Sequence, residues 1–324
     1  MTNKELYAEW CKTQPDLPVF MEPWWMDAVC AGKNWDVMLY TDADGHILAA
    51  LPYLIRKKWR FQWILMPQLT QIGGIRLTQD ADGNTSVSNE DIQAVCEDFA
   101  RQMDTIAPDY CYQHYAINSA CAPHMQSLGF TVKPRVTYRI DNLNDLDAVI
   151  GRFSKNKKRQ LQKALSLHAE RGISAEEFYR CHYTFLLEKK KHISYTRELL
   201  VVLDRKARRN GQAETIAIKN ADGETLAAAY LVWDNTTLYY LIPCFSPVHK
   251  DSGAGALLVL EAIKMAREKH LAFDFEGSMV HNIANHYKQF GSTPCRYYSV
   301  ERYYNRWFRL AIWWNRLRNH KYGM

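Results

Sequence analysis

Along this chain, hydrophobic positions switch between a two-residue and a helical period, and the switches come twice in the same order. Trp35–Tyr40 and Ile47–Ile55 read as strands around Asp44-Gly45, and Glu214–Lys219 and Leu226–Trp233 do so around Asp222-Gly223. Asp-Gly accepts the positive φ that tight hairpin turns demand. The turns are near copies: Asp42-Ala-Asp-Gly-His-Ile-Leu-Ala-Ala-Leu51 and Asn220-Ala-Asp-Gly-Glu-Thr-Leu-Ala-Ala-Ala229. A third strand before a proline follows each, Phe61–Met66 before Pro67 and Thr237–Ile242 before Pro243. Each half continues with a helix (about 89–105 and 253–268) and a strand (Tyr110–Ile117 and Leu271–Phe275). A short helix with an aromatic–Gly pattern comes next (Leu128-Gly129-Phe130 and Phe290-Gly291), then a closing strand (Val136–Ile140 and Arg296–Val300). This order predicts an α/β fold with a mixed sheet, repeated in tandem over 1–150 and 151–300.

Two further segments carry a helical stripe. Leu161, Ala164, Leu165 and His168 are spaced for one face of a helix over about 155–171, and Lys155, Arg159 and Lys163 form a cationic ridge roughly opposite. That helix is expected to connect the two domains. In 301–324, Tyr303, Trp307, Leu310, Trp314 and Leu317 recur at spacings of four and three, beside Arg302, Arg306, Arg309 and Arg316. This predicts an amphipathic C-terminal helix. Trp with Arg suits a membrane interface, and docking on domain two is the other reading.

Charge sharpens the picture. The net charge of the 324 residues is +6, yet 152–169 and 301–324 together hold twelve basic residues against the single acid Glu301. The rest of the chain is therefore mildly acidic, and the two basic segments suggest phosphate, RNA or lipid headgroups as partners. The length favours two domains. No apolar run approaches the roughly 18 residues of a membrane span, and the N-terminus lacks a secretory pattern. The eight cysteines are scattered without a CxxC, which reads as buried reduced thiols in a cytoplasmic protein. His281 and His286 are five apart, and no HExxH or Cys/His cluster accompanies them, so no metal is inferred.

The element order resembles the acyltransferase fold of the GNAT superfamily. Over roughly residues 20–300 the chain resembles the Fem family of non-ribosomal aminoacyl transferases, built from two such domains. The specific stretches are Ser154-Lys-Asn-Lys-Lys-Arg-Gln-Leu-Gln-Lys-Ala164 before Gly172, and Phe273-Asp-Phe-Glu-Gly-Ser278 followed by His286-Tyr-Lys-Gln-Phe-Gly291. There is no room for the coiled-coil arm that some members insert. The resemblance implies direct acyl or aminoacyl transfer to an amine, with no cofactor beyond the donor. The acceptor would be a small-molecule, peptide or cell-envelope-related amine, and the enzyme would be cytoplasmic or peripheral at the inner face of the membrane.

Candidate chemistry lies in the second half. Lys250-Asp-Ser-Gly253-Ala-Gly255 enters a helix, where backbone N–H groups and the helix dipole can cradle an anion. It resembles the pyrophosphate loop of coenzyme-A-dependent GNAT enzymes, with Lys250, Gly253 and Gly255 as donor-binding residues. The first half has no such loop. Around Pro243 the resemblance implies splayed strands whose backbone N–H groups stabilise an oxyanion. Asp274 and Glu276 alternate with Phe273 and Phe275, which places both carboxylates on one strand face, and Glu276 is the candidate proton-handling group. Lys288 is the candidate for steadying the oxyanion or a donor phosphate, and Phe290 is expected to face the core. Lys155, Arg159 and Lys163 with Phe290 complete the expected substrate-binding set. The ridge and the architecture favour aminoacyl-tRNA as donor, and the Gly253–Gly255 loop favours acyl-coenzyme A. A coenzyme-A-dependent N-acetyltransferase and a silent tandem domain binding a phosphorylated ligand or a membrane stay open as alternatives.

Overall fold

The computed structural model describes residues 1–31, 35–277 and 279–310. The chain forms two units. The first is Met1–Pro15, Phe20–Arg135 and the residues from Tyr297 on; the second is Asp16–Val19 with Val136–Arg296.

The first unit opens with helices α1 (Asn3–Cys11) and α2 (Pro23–Val29). Strands β1 (Trp35–Thr41) and β2 (Ile47–Lys58) pair antiparallel, followed by β3 (Phe61–Leu65), the short β4 (Arg76–Leu77) and α3 (Asn89–Ile106). Then come β5 (Tyr110–Tyr115), α4 (Cys121–Ser127) and β6 (Thr131–Ile140), which passes into the second unit. There, α5 (Leu146–Gly151), α6 (Lys155–Lys163), β7 (His168–Arg171), α7 (Ala175–Glu188) and α8 (Arg197–Arg209) precede the second hairpin. That hairpin is β8 (Ala213–Lys219) with β9 (Thr225–Trp233); β10 (Thr237–Phe245), α9 (Ala254–Glu268), β11 (Ala272–Asp274) and α10 (His281–Lys288) follow. The last strand, β12 (Thr293–Tyr303), returns to the first unit.

The two hairpins are equivalent down to their turn bonds. Asp42 N–H donates to His46 O at 3.0 Å, and Asp42 Oδ1 accepts from the N–H groups of Asp44 and His46 at 3.0 and 2.8 Å. Asn220 repeats all three with Glu224 and Asp222 at 3.1, 3.1 and 2.9 Å. Gly45 and Gly223 both sit at positive φ, +86° and +78°. The Asx side chain stands in for a backbone group, which is why one local sequence gives one turn twice.

The closing strands differ from a division at residue 150. Strand order in the first unit is β1-β2-β3-β5-β12, and in the second β6-β11-β10-β9-β8-β7. Tyr298–Tyr303 pair with Tyr115–Tyr110, and Ile140 and Arg139 pair with Phe273 and Asp274. Each half of the sequence thus supplies the closing strand of the other unit. Apolar burial explains the choice: Val300 belongs to the core of α3, α4 and β5, while Tyr138 and Ile140 belong to the core around α9.

Two expected elements are corrected, and the C-terminal helix is described in part. Helix α6 stops at Lys163, and His168–Arg171 pair with Ile216–Lys219, so the backbone is satisfied by a ladder instead of a further helical turn. Leu165, expected on the apolar face, is exposed. Pro243 lies inside β10. The β10–β11 ladder ends at Tyr239–Asp274, and β10 runs on to Phe245 against β9, so its other side tolerates a residue without N–H. At the C-terminus residues 306–310 are helical, with Phe308 packed on Phe61 and Trp63, while Trp307 and Leu310 are exposed. The remaining stripe residues Trp314 and Leu317, with Arg316, lie outside the described residues.

Candidate functional site

The entry to α9 organises the site. Gly253 is its N-cap at φ +85° and has no side chain to cap with, Ser252 Oγ accepts from Ala254 N–H at 3.2 Å, and the first turn holds no acid. A Cβ at Gly253 would overlap the carbonyl oxygen of Gln160 and stand 3.1 Å from Cβ of Ala164. Only glycine permits both this φ and this approach of α9 to α6. A cavity of about 420 Å³ opens here, bounded by the end of β10, the loop into α9, α6 and α10.

Its charge is one-sided. Lys157, Lys189, His249, Lys250 and His286 line it, and no carboxylate does. Lys157 is 3 % exposed. Its Nζ donates to Gln160 Oε1 at 3.1 Å, lies 3.1 Å from His286 Nδ1 and stands 4.8 Å over the Phe290 ring. Burial pushes the Lys157 ammonium down to about 8. Burial, then the charge of Lys157, push His286 down to about 4, so its imidazole is neutral near pH 7 and Nδ1 is the acceptor. Lys189 Nζ donates to Phe245 O at 2.7 Å, and burial lowers its pKa.

At and just beyond the last β10–β11 pair stand two carboxyls. Asp274 is buried, accepts from the Thr137 hydroxyl and lies 3.6 Å from Arg139 Nη1. Burial nonetheless pushes it up to about 6. The strand ends there. Glu276 takes φ +61° and donates its N–H to Asp274 Oδ1 at 2.7 Å, so the expected two-residue alternation does not extend to Glu276. A turn has replaced a strand step, because Gly277 follows at φ +65° pressed against Val136 and Thr137. Burial first, then the charge of Asp274, raise Glu276 well above the ordinary carboxyl range. Its Oε1 is buried without a hydrogen-bond partner. Phe275 stacks on Tyr287 at 4.5 Å and lies 5.9 Å from Phe290, the ring beneath Lys157 and His286.

Of the residues singled out from sequence, Lys250, Gly253 and Gly255 come together at the cavity. Phe290 is fully buried beneath its wall. Lys155, Arg159 and Lys163 are exposed and outside the lining. Lys288 is exposed, with Nζ 5.9 Å over the Tyr138 ring, and is also outside the lining. Sequence reasoning missed Lys157, Lys189, His249 and His286. For Lys157 the signal was present: 157, 161 and 164 share the helical spacing of the buried face, so this lysine was on the inside of α6.

A family model described as an acetyltransferase (GNAT) domain matches residues 128–289, half of the chain. The chain belongs to the GNAT acetyltransferase family. The matched span includes both the α9 entry and α10. None of the curated proteins matches. Among solved structures, that of FemX is similar at a TM-score of 0.69 and 12 % identity, covering 92 % of this chain and 96 % of that one. A tandem GNAT protein from the clavulanic acid biosynthesis pathway is similar at 0.52 and 11 %, covering 93 % and 94 %. L-PGS from Bacillus licheniformis is similar at 0.50 and 13 %, covering 82 % and 84 %. At these identities the likeness shows the fold, a Fem-like tandem of GNAT domains. Among the described residues no helix is long and apolar enough to cross a membrane.

Proposed function

We propose that this protein is an N-acyltransferase that takes a phosphorylated acyl donor in the cavity of its second unit and passes the acyl group to an amine. The observation that carries this is a cavity lined by three lysines, two histidines and no carboxylate at the glycine start of α9, whose first turn holds no acid. Such a wall favours the phosphates of a donor over a neutral ligand. Acyl-coenzyme A is the donor that fits the Lys250–Gly255 loop. The amine attacks the donor carbonyl, a C–N bond forms and the C–S bond breaks. Backbone N–H groups where β10 leaves β11 would steady the oxyanion. Glu276, whose carboxyl is raised well above its ordinary range by burial and by Asp274, is suited to protonate the leaving sulfur, and the proton shed by the attacking nitrogen restores it.

The exposed Lys155, Arg159 and Lys163 on α6 favour a second donor, aminoacyl-tRNA, because an extended polyanion could follow them away from the cavity. Exposed Arg306, Trp307, Arg309 and Leu310 suit peripheral contact with an anionic membrane, which would bring a cell-envelope-related amine within reach. Thiol release from acetyl-coenzyme A with a panel of amines tests the first donor, and RNase-sensitive transfer tests the second. Binding of coenzyme A without transfer to any amine would leave a silent ligand-binding domain. No thermal shift with coenzyme A, total tRNA or pyrophosphate would overturn the reading.

A further inference from the structure

Lys157 is the one buried lysine or arginine among the described residues. A buried ammonium ordinarily has a carboxylate beside it, because an uncompensated charge out of water is costly. Here both polar partners, Gln160 Oε1 and His286 Nδ1, are neutral. The groups that share the cavity wall with it are Lys189 at the end of α7, His249 and Lys250 before α9, and His286 on α10, and the Glu224 carboxylate behind them is bonded to His249 Nε2 at 3.1 Å. The Phe290 ring offers its face and nothing more. Two N–H groups of the ammonium are thus held by protein, both on neutral acceptors.

We propose that Lys157 is an anion-receiving residue of the cavity, paired in the bound state with a phosphate group of the ligand. This rests on the reading that the cavity takes a phosphorylated donor. It adds the residue that makes the site's charge dependent on pH. The apolar surroundings that make the unpaired ammonium unfavourable also strengthen its attraction to a phosphate once one enters. With its ammonium down at about 8, Lys157 is about nine-tenths charged at pH 7 and only a few per cent charged at pH 9.5.

The test uses inorganic pyrophosphate as the probe in isothermal titration calorimetry on the full chain. Wild type, Lys157→Met and the surface control Lys12→Met, an exposed lysine at the end of α1, are compared at pH 7 and 9.5. Because the probe and the other lysines titrate alike in all three proteins, the ratio of wild-type to Lys157→Met affinity isolates Lys157. That ratio is expected to be about tenfold or more at pH 7 and to approach one at pH 9.5, with Lys12→Met following wild type. Without ligand, Lys157→Met is expected to melt no lower than wild type at pH 7, whereas a residue that merely staples α6 to α10 would lower the melting point when removed. A ratio near one at pH 7, with both proteins binding pyrophosphate, overturns the role of Lys157 and leaves the donor cavity standing. Absence of binding in wild type overturns both.

Discussion

Gly253→Ala isolates the contact on which the cavity depends. The substitution has two effects that can be separated. Alanine at φ +85° is strained by roughly 1–2 kcal/mol, the cost of a left-handed L-residue. Its Cβ would also overlap Gln160 O and press on Ala164, and overpacking of a tight contact costs roughly 1–3 kcal/mol. Gly223 supplies the reference: its φ is +78°, and a Cβ there meets nothing within 4 Å, so Gly223→Ala reports strain alone. At roughly 2–4 °C per kcal/mol for a unit of this size, Gly223→Ala should lower the melting point by about 2–8 °C and Gly253→Ala by about 4–20 °C. Differential scanning calorimetry reads both, and calorimetric titration with pyrophosphate reads the site. Only Gly253→Ala should weaken binding, since α6 carries Lys157 and Gln160 on the face that would be pushed away. Equal melting points for the two variants, with unchanged pyrophosphate affinity, would refute the close approach of α9 to α6.

Further outcomes follow from the carboxyls and from Lys288. Glu276→Gln replaces a buried carboxyl, raised well above its ordinary range, by a neutral isostere, so it should melt at or above wild type while transfer falls by about 10²-fold or more; unchanged transfer removes Glu276 from the mechanism. Asp274 is held up at about 6 in the folded chain against about 4 unfolded, so the unfolded chain loses its proton first and this group's contribution declines as pH rises from 4 to 6. Urea midpoints over that range should therefore fall less steeply in Asp274→Asn than in wild type. Lys288→Ala should melt as wild type and lose less than about tenfold in transfer, given its exposure; a loss of about 10²–10³ would restore it as an oxyanion contact.

What the sequence disclosed was what local chemistry decides. The Asx-Ala-Asp-Gly turns read correctly because the side chain at the first position closes its own turn. The Gly253 entry read correctly because glycine before a helical period has few other uses. What stayed hidden was decided at long range. Nothing near Val136 or Val300 states which unit will bury it, and the closing strands accordingly went to the opposite units. Helix α7 went unread although Ser174, whose side chain accepts from Glu177 N–H, begins a Ser-x-x-Glu start signal. Lys157 was passed over because three neighbouring cations formed an obvious ridge, and a lysine on the inner face of the same helix contradicts the usual partition.

The two repeats differ at the start of their equivalent helices. Helix α3 occupies the place in the first repeat that α9 holds in the second, between the third strand and the next parallel one. At its start Ser88 accepts from Asp91 N–H, and Glu90 and Asp91 stand in the first turn. Those carboxylates already answer the positive end of the helix, an interaction of about 0.3–1 kcal/mol each, and would repel a phosphate. At the start of α9 the cap is a glycine, the first turn is free of acids, and lysines stand around it. The same architecture therefore meets anions with opposite charge in its two copies. The hairpin turns agree bond for bond in the two repeats, yet the helix start free of acids is the second one, at the cavity that Lys157 lines.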